Sequence, residues 1–124
     1  MVIDDAKTIL SAIGMPKRQQ TDICAYSLLA LAGISGSTGW SRATNEYIRI
    51  HDVIVYTQEK FSMSYAENSR ETFRKQAMHP FRIAAIIEDN GKATNSPNYR
   101  YRLTPEALKL IENTKPPAKL GRME

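Results

Sequence analysis

Between Tyr65 and Phe81 the chain reads Tyr-Ala-Glu-Asn-Ser-Arg-Glu-Thr-Phe-Arg-Lys-Gln-Ala-Met-His-Pro-Phe. On a helical projection Phe73 and Ala77 share one face, while Glu71, Thr72, Lys75 and His79 occupy the opposite one, flanked by Arg74 and Gln76. The chemistry on offer is hydrogen-bond donation. Arg, Lys and Gln on a short docked helix match the base edges of a DNA major groove, and exposed backbone N–H groups around Asn68, Ser69 and Arg70 suit a phosphate. The competing reading is a solvated amphipathic helix with no ligand at all.

The elements that position this stretch begin with its own start. Asn68 followed by Glu71 has the spacing of a capping box, which predicts a helix from Asn68. Pro80 is expected to bend or restart it. Ahead of it, Ile50 to Lys60 carries Ile50, Val53 and Ile54 at helical spacing, with Phe61 just beyond. Joined by a polar connector from Ser62 to Glu67, the two helices have a helix-turn-helix outline.

Behind the pair, Phe81 to Ile87 reads as helix end running into a buried strand, and Glu88 to Gly91 is a turn signal. Tyr99, Tyr101 and Leu103 alternate with Arg100 and Arg102, as in a half-buried strand. The hairpin would carry Lys92, Asn95, Ser96, Arg100 and Arg102 on its tip and outer face, where they could hold DNA backbone or minor groove. The alternative for the two arginines is the solvent face of an edge strand, where charge discourages pairing with other chains. Arg70 could equally pair with Glu67 or Glu71.

Two more helices are expected before this unit. One runs from Asp4 to Ile13 and stops at Gly14 and Pro16; a second runs from about Gln19 to Ala32, with Thr21 or Asp22 at its start and Gly33 at its end. Apolar residues spread around most of the second, so it should be the buried central helix. Trp40 should plug a core edge, and Ser41 to Glu46 could form a further helical turn. Thr104-Pro105-Glu106 opens a final helix with Leu108 and Ile111 inward. The predicted fold is mainly α with a small β-hairpin, a winged helix-turn-helix with extra N-terminal helices over residues 1–113. Residues 114–124 read as linker or tail.

Composition sets the bounds. The 124 residues are 42% hydrophobic, enough for one domain with its own core. Residues 1–69 hold six Lys/Arg and seven Asp/Glu, residues 70–103 seven and three, and residues 104–124 four and three. The positive excess thus lies where the candidate DNA-binding residues lie, which favours double-stranded DNA as the partner. Met-Val-Ile-Asp-Asp at the start is not a secretory signal, and the apolar run Leu28 to Ala32 is too short to cross a membrane. A cytoplasmic protein is expected. The single Cys24 excludes an intramolecular disulfide, and with His51 and His79 it forms no metal-ligand spacing. Gly33 to Gly39 is glycine-rich but lacks the Gly-Lys-Ser/Thr of a nucleotide loop. No catalytic residue and no metal ligand is expected in this chain.

The sequence resembles the N-terminal helix-turn-helix domain of the BsuBI/PstI family of type II restriction endonucleases. The residues carrying the likeness are Gly14-Met-Pro-Lys-Arg-Gln-Gln, Leu28-Leu-Ala-Leu-Ala-Gly33, Trp40-Ser41, Tyr65 to Gln76, His79, Asn95-Ser96-Pro97 and Tyr101 to Leu108. The Tyr65 block and the Asn-Ser-Pro loop are the most specific of them. The resemblance implies the amino-terminal part of an enzyme that cuts a palindromic duplex site, with a partner methyltransferase protecting host DNA. It also implies an attached Mg2+-dependent nuclease domain of the Asp…(Asp/Glu)-x-Lys type. Within these 124 residues the one such triplet is Asp5-Ala6-Lys7, at the start of the first helix with no upstream carboxylate to share a metal. The expectation is therefore a DNA-binding portion, either an isolated domain of the enzyme or a free-standing regulator, that does not cleave alone. A homodimer would suit a palindromic site. The alternative class is a dimerisation or assembly module for the nuclease domain, which exposed apolar residues on the first two helices would favour.

Overall fold

The computed structural model describes residues 2–36 and 39–113. Helix α1 (Val2–Ala12) lies against α2 (Asp22–Ala32), with a 3-10 turn at Lys17–Gln19 between them. The second helix starts later than the apolar pattern suggests, because Thr21 caps it: its hydroxyl accepts from the Cys24 amide at 3.4 Å. Gly33, at φ 70°, ends it in the left-handed conformation that an L side chain adopts only under strain. Every residue from Cys24 to Ala32 is buried. That follows from an apolar circumference, and α2 accordingly packs on α1, on the helix at Ile50–Phe61, on the helical stretch 70–78 and on the strand Tyr101–Leu103.

Trp40 is buried as expected, at the start of a 3-10 turn, Trp40–Arg42. The helical turn expected over Ser41 to Glu46 does not extend beyond that. The Thr44 amide is drawn off to the Ala32 carbonyl at 2.8 Å, and Ile48 exchanges two 2.8 Å backbone hydrogen bonds with Tyr101, so the segment is held extended. Helix α3 (Ile50–Phe61) then begins with Asp52 Oδ2 accepting from the Arg49 amide at 2.9 Å and buries Val53, Ile54 and Thr57. It ends at Ser62, φ 58°.

Helix α4 (residues 70–83) is three segments in one: an α-helical turn, Arg70–Phe73, a π-helical turn, Arg74–Met78, and an α-helical end, His79–Ile83. The capping box predicted for Asn68 is not formed. A 3-10 turn, Glu67–Ser69, leads in, and Ser69 has near-helical angles and makes no side-chain cap hydrogen bond. Tyr65, packed edge-on against Phe73 at 5.2 Å, anchors the entry through apolar contact instead. Pro80 stands in the first turn of the α-helical end, His79–Ile83, so α-helical geometry restarts there, directly after the π turn and without a break in the chain of helical segments.

Strands β1 (Ile87–Asp89) and β2 (Tyr101–Leu103) pair antiparallel with Ile87 opposite Leu103 and Asp89 opposite Tyr101. The turn expected from Glu88 begins only after Asp89. The strand expected from Tyr99 begins at Tyr101, because the Tyr99 amide donates to Ser96 O and the Arg100 amide to Asn90 Oδ1. Helix α5 (Pro105–Asn113) is capped by Thr104, whose hydroxyl accepts from the Ala107 amide at 3.2 Å and donates to Ala85 O at 2.9 Å. The predicted tail, 114–124, lies outside the described residues.

In chain order α2, the Ile48 pairing, α3, α4 and the β1–β2 hairpin make a winged helix-turn-helix, with α1 added in front and α5 behind. Phe73, Phe81, Leu28, Leu29, Leu103 and Ile111 are fully buried between these elements. They fix α4 and the hairpin on one scaffold.

Candidate nucleic-acid interface

Two clefts flank Arg74, one on each side, and both are closed by the wing. The first, about 340 Å³, lies between the start of α3 (Arg49, His51), the start of α4 (Arg70, Arg74) and the wing residues Thr94, Ser96, Pro97 and Tyr99. The second, about 310 Å³, runs down α4 past Glu71, Arg74, Lys75, His79 and Arg82, again against Thr94, Tyr99 and Tyr101. Cationic side chains from the start of α3 and from α4 therefore converge on one face, opposite polar and aromatic residues of the wing. A surface of that kind concentrates positive potential where a polyanion can lie.

The wing is tied to α4 by a small polar brace. Asp89 Oδ2 sits 3.0 Å from Arg82 Nη2 and accepts from the Tyr99 hydroxyl at 3.0 Å, while Asp89 Oδ1 accepts from the Gly91 amide at 2.9 Å. The Gly91 hydrogen bond, then Tyr99 and Arg82, hold the Asp89 carboxyl below the usual carboxylate range. Burial, with Tyr101 and Asp89 beside it, pushes the Tyr99 phenol up, so it remains a donor. Tyr99 and Tyr101 pack edge to face at 5.0 Å and form the floor between the clefts.

Of the residues predicted from sequence, Arg70, Arg74, Lys75, His79 and Ser96 line these clefts. Thr72 is half-buried and Gln76 exposed on α4, outside both; Asn68 and Ser69 lie in the 3-10 turn ahead of it. Lys92 and Asn95 are exposed at the wing tip. Arg74 is partly engaged already, with Nη1 3.3 Å from the Glu71 carboxylate that had been a candidate partner for Arg70. Arg100 donates to the Pro97 carbonyl at 3.2 Å. Arg102 is engaged on two sides: its Nε lies 2.7 Å from Glu88 Oε2 and its guanidinium 4.6 Å from the Tyr47 ring centre.

Arg49 and Arg82 are the cationic cleft residues that sequence reasoning missed. Arg49 immediately precedes the apolar pattern of α3, a cap position that normally invites a search for Ser, Thr, Asp or Asn. Arg82 lies eight residues after Arg74, a spacing that drifts by about 80° on a regular α-helix. Its alignment depends on the π turn.

Among the described residues no group of three His, Cys, Asp or Glu side chains could hold a metal ion. The Asp5-Ala6-Lys7 triplet does not fit one either, since Asp5 is buried in α1 and Lys7 is ion-paired with Asp22 at 2.6 Å. No helix among the described residues is long and apolar enough to cross a membrane.

Comparison with known proteins agrees with this architecture. Residues 1–119 match the BsuBI/PstI restriction endonuclease HTH domain. The type II restriction enzyme BsuBI of Bacillus subtilis is 36% identical over 114 residues, covering 89% of this chain and 36% of that protein. The type II restriction enzyme AplI of Arthrospira platensis is 25% identical over 111 residues, covering 87% of this chain and 34% of that protein. The structure of SdaI restriction endonuclease superposes with a TM-score of 0.83 at 28% identity, over 89% of this chain and 36% of that one. The chain thus spans about a third of the length of each. A buried central helix, a helix-turn-helix and a wing, matched along nearly the whole sequence, place this chain in the family of BsuBI/PstI restriction endonuclease HTH domains.

Proposed function

We propose that this chain is the double-stranded DNA-binding module of a type II restriction endonuclease, contributing target recognition or positioning. The observation that carries this reading is the convergence of α3, α4 and the wing on the two cationic clefts around Arg74. In this reading Arg74, Lys75, Gln76 and Thr72 face base edges. Backbone phosphates are held by the amides around Asn68, Ser69 and Arg70, by His79, and by the wing residues Lys92, Asn95, Ser96, Arg100 and Arg102. Strand scission and its Mg2+ belong, in the same proposal, to an attached nuclease domain, and a homodimer would place two modules on a palindrome.

Assembly through the first two helices finds less support. The large exposed apolar side chains among the described residues are Tyr47, Met63, Ile83 and Leu110, none of them on α1 or α2. The test is selection of bound duplexes from a random pool at two salt concentrations. An enriched motif with a steep salt slope supports sequence reading. Salt-sensitive binding without a motif limits the module to positioning, and no binding at low salt overturns the DNA role.

A further inference from the structure

Pro80 has no amide hydrogen, so the Gln76 carbonyl lacks the donor that residue 80 supplies in a regular α-helix. A carbonyl that loses its regular donor is stabilised by another one. The structure supplies one from elsewhere in the fold: Cys24 Sγ, on the buried central helix α2, lies 2.9 Å from Gln76 O. In the same turn the His79 amide reaches back five residues to Arg74 O, which is the π-helical step.

The extra residue of that step has a geometric consequence. Eight residues of regular α-helix rotate a side chain by about 80° relative to where it began, and one inserted residue takes back about 100°. The π turn therefore restores residues eight apart to nearly one line. Phe73 and Phe81 share the buried side, and Glu71 with His79, and Arg74 with Arg82, line the same cleft.

We infer that Cys24 is a positioning residue: its thiol replaces the amide lost at Pro80, holds the π turn, and so aligns Arg74 with Arg82 on the face offered to DNA. The inference deepens the DNA reading above and rests on it for its functional part. Burial holds the thiol pKa up, so the group stays protonated and can donate.

Cys24 is the chain's sole cysteine, so its S–H stretching band is unambiguous in a Raman spectrum of the intact protein. The expected band is displaced to lower frequency in the folded protein and returns to the free-thiol position in denaturant. A band that does not move on unfolding overturns the contact, whatever the variants do. Cys24→Ala should lower the folded-to-unfolded ratio about fivefold or more, since it removes both the hydrogen bond and the packing of a buried sulfur, whereas Cys24→Ser should retain the hydrogen-bond share. In a Pro80→Ala background, where an amide is available again, the cost of Cys24→Ala should shrink to that of the lost sulfur packing; an undiminished cost overturns the inference.

The positioning role is read separately. At a temperature where all variants are folded, Cys24→Ala should reduce discrimination between a selected duplex and random duplexes several-fold, with Cys24→Ser restoring it. Unchanged discrimination overturns positioning. If Arg74→Ala also leaves binding unchanged, it is the DNA reading that fails, and the Raman result still decides the contact.

Discussion

Arg82 Nη2 and Asp89 Oδ2, 3.0 Å apart, join the last turn of α4 to the first strand of the wing. Arg82 is 44% exposed and Asp89 19%, so the ion pair itself contributes little. The greater share comes from the hydrogen bonds that Asp89 accepts from Tyr99 and Gly91. Asp89→Asn should cost about 1–2 kcal/mol in denaturant unfolding and speed amide exchange in the wing more than in α2. Equal acceleration in both places would mean that the brace is not local.

The same carboxylate makes stability depend on pH. Its folded pKa is depressed, so the contribution is present above the unfolded value, about 3.9, and is lost as pH falls through the lower folded value. Asp52 behaves likewise: burial opposes ionisation, but the side-chain and backbone hydrogen bonds and the charge of Arg49 outweigh it. Unfolding free energy should therefore rise with pH through the acid range, and Asp89→Asn should flatten part of that slope.

Arg74→Ala should lose roughly 1–3 kcal/mol on a specific duplex and relax discrimination at one base position. Competition assays with single-position variants of the selected site would read this directly. Equal losses on specific and random DNA would remove α4 from the role of reader.

Arg49 and Arg102 should behave as backbone contacts, not readers. A phosphate contact contributes about 0.9 to the slope of log affinity against log salt, and Arg49→Ala should flatten that slope by less than this, because Asp52 already holds its guanidinium at 3.0 Å. Arg102→Ala should likewise weaken binding to all sequences alike and only modestly, because Glu88 and Tyr47 already occupy its guanidinium.

Two left-handed positions should respond in opposite directions. At Gly33, φ 70°, an added Cβ would lie 3.1 Å from Thr44 Oγ1, and Gly33→Ala should cost about 1 kcal/mol or more. Ala85, φ 60°, already bears that strain, and Ala85→Gly should be neutral or stabilising by under about 1 kcal/mol. Thermal unfolding of the two variants side by side decides it.

What could be read from the sequence follows from how local its cause is. Helices α1, α2, α3 and α5 announce themselves through apolar spacing, Thr21, Gly33 and Thr104, because caps and faces depend on neighbours in the chain. The failures have distant causes. The chain after the Trp40–Arg42 turn stays extended because of Ala32 and Tyr101, and α4 is entered through a 3-10 turn in place of an Asn68 cap. Arg74, Lys75 and His79 are legible as one polar, hydrogen-bonding face. Arg82 was not, since its alignment depends on a π turn completed by a thiol fifty-two residues from its acceptor.

The backbone pairing of Ile48 with Tyr101 has a kinetic consequence. It joins positions more than fifty residues apart, across the whole helix-turn-helix, and such a closure carries an entropy cost that local helical contacts do not. Helical pairs can form early, but the returning strand has no partner edge until Ile48, α3 and β1 are in place. The cationic clefts, which need both sides, should therefore form late, and a chain without that closure carries the charges without the surface.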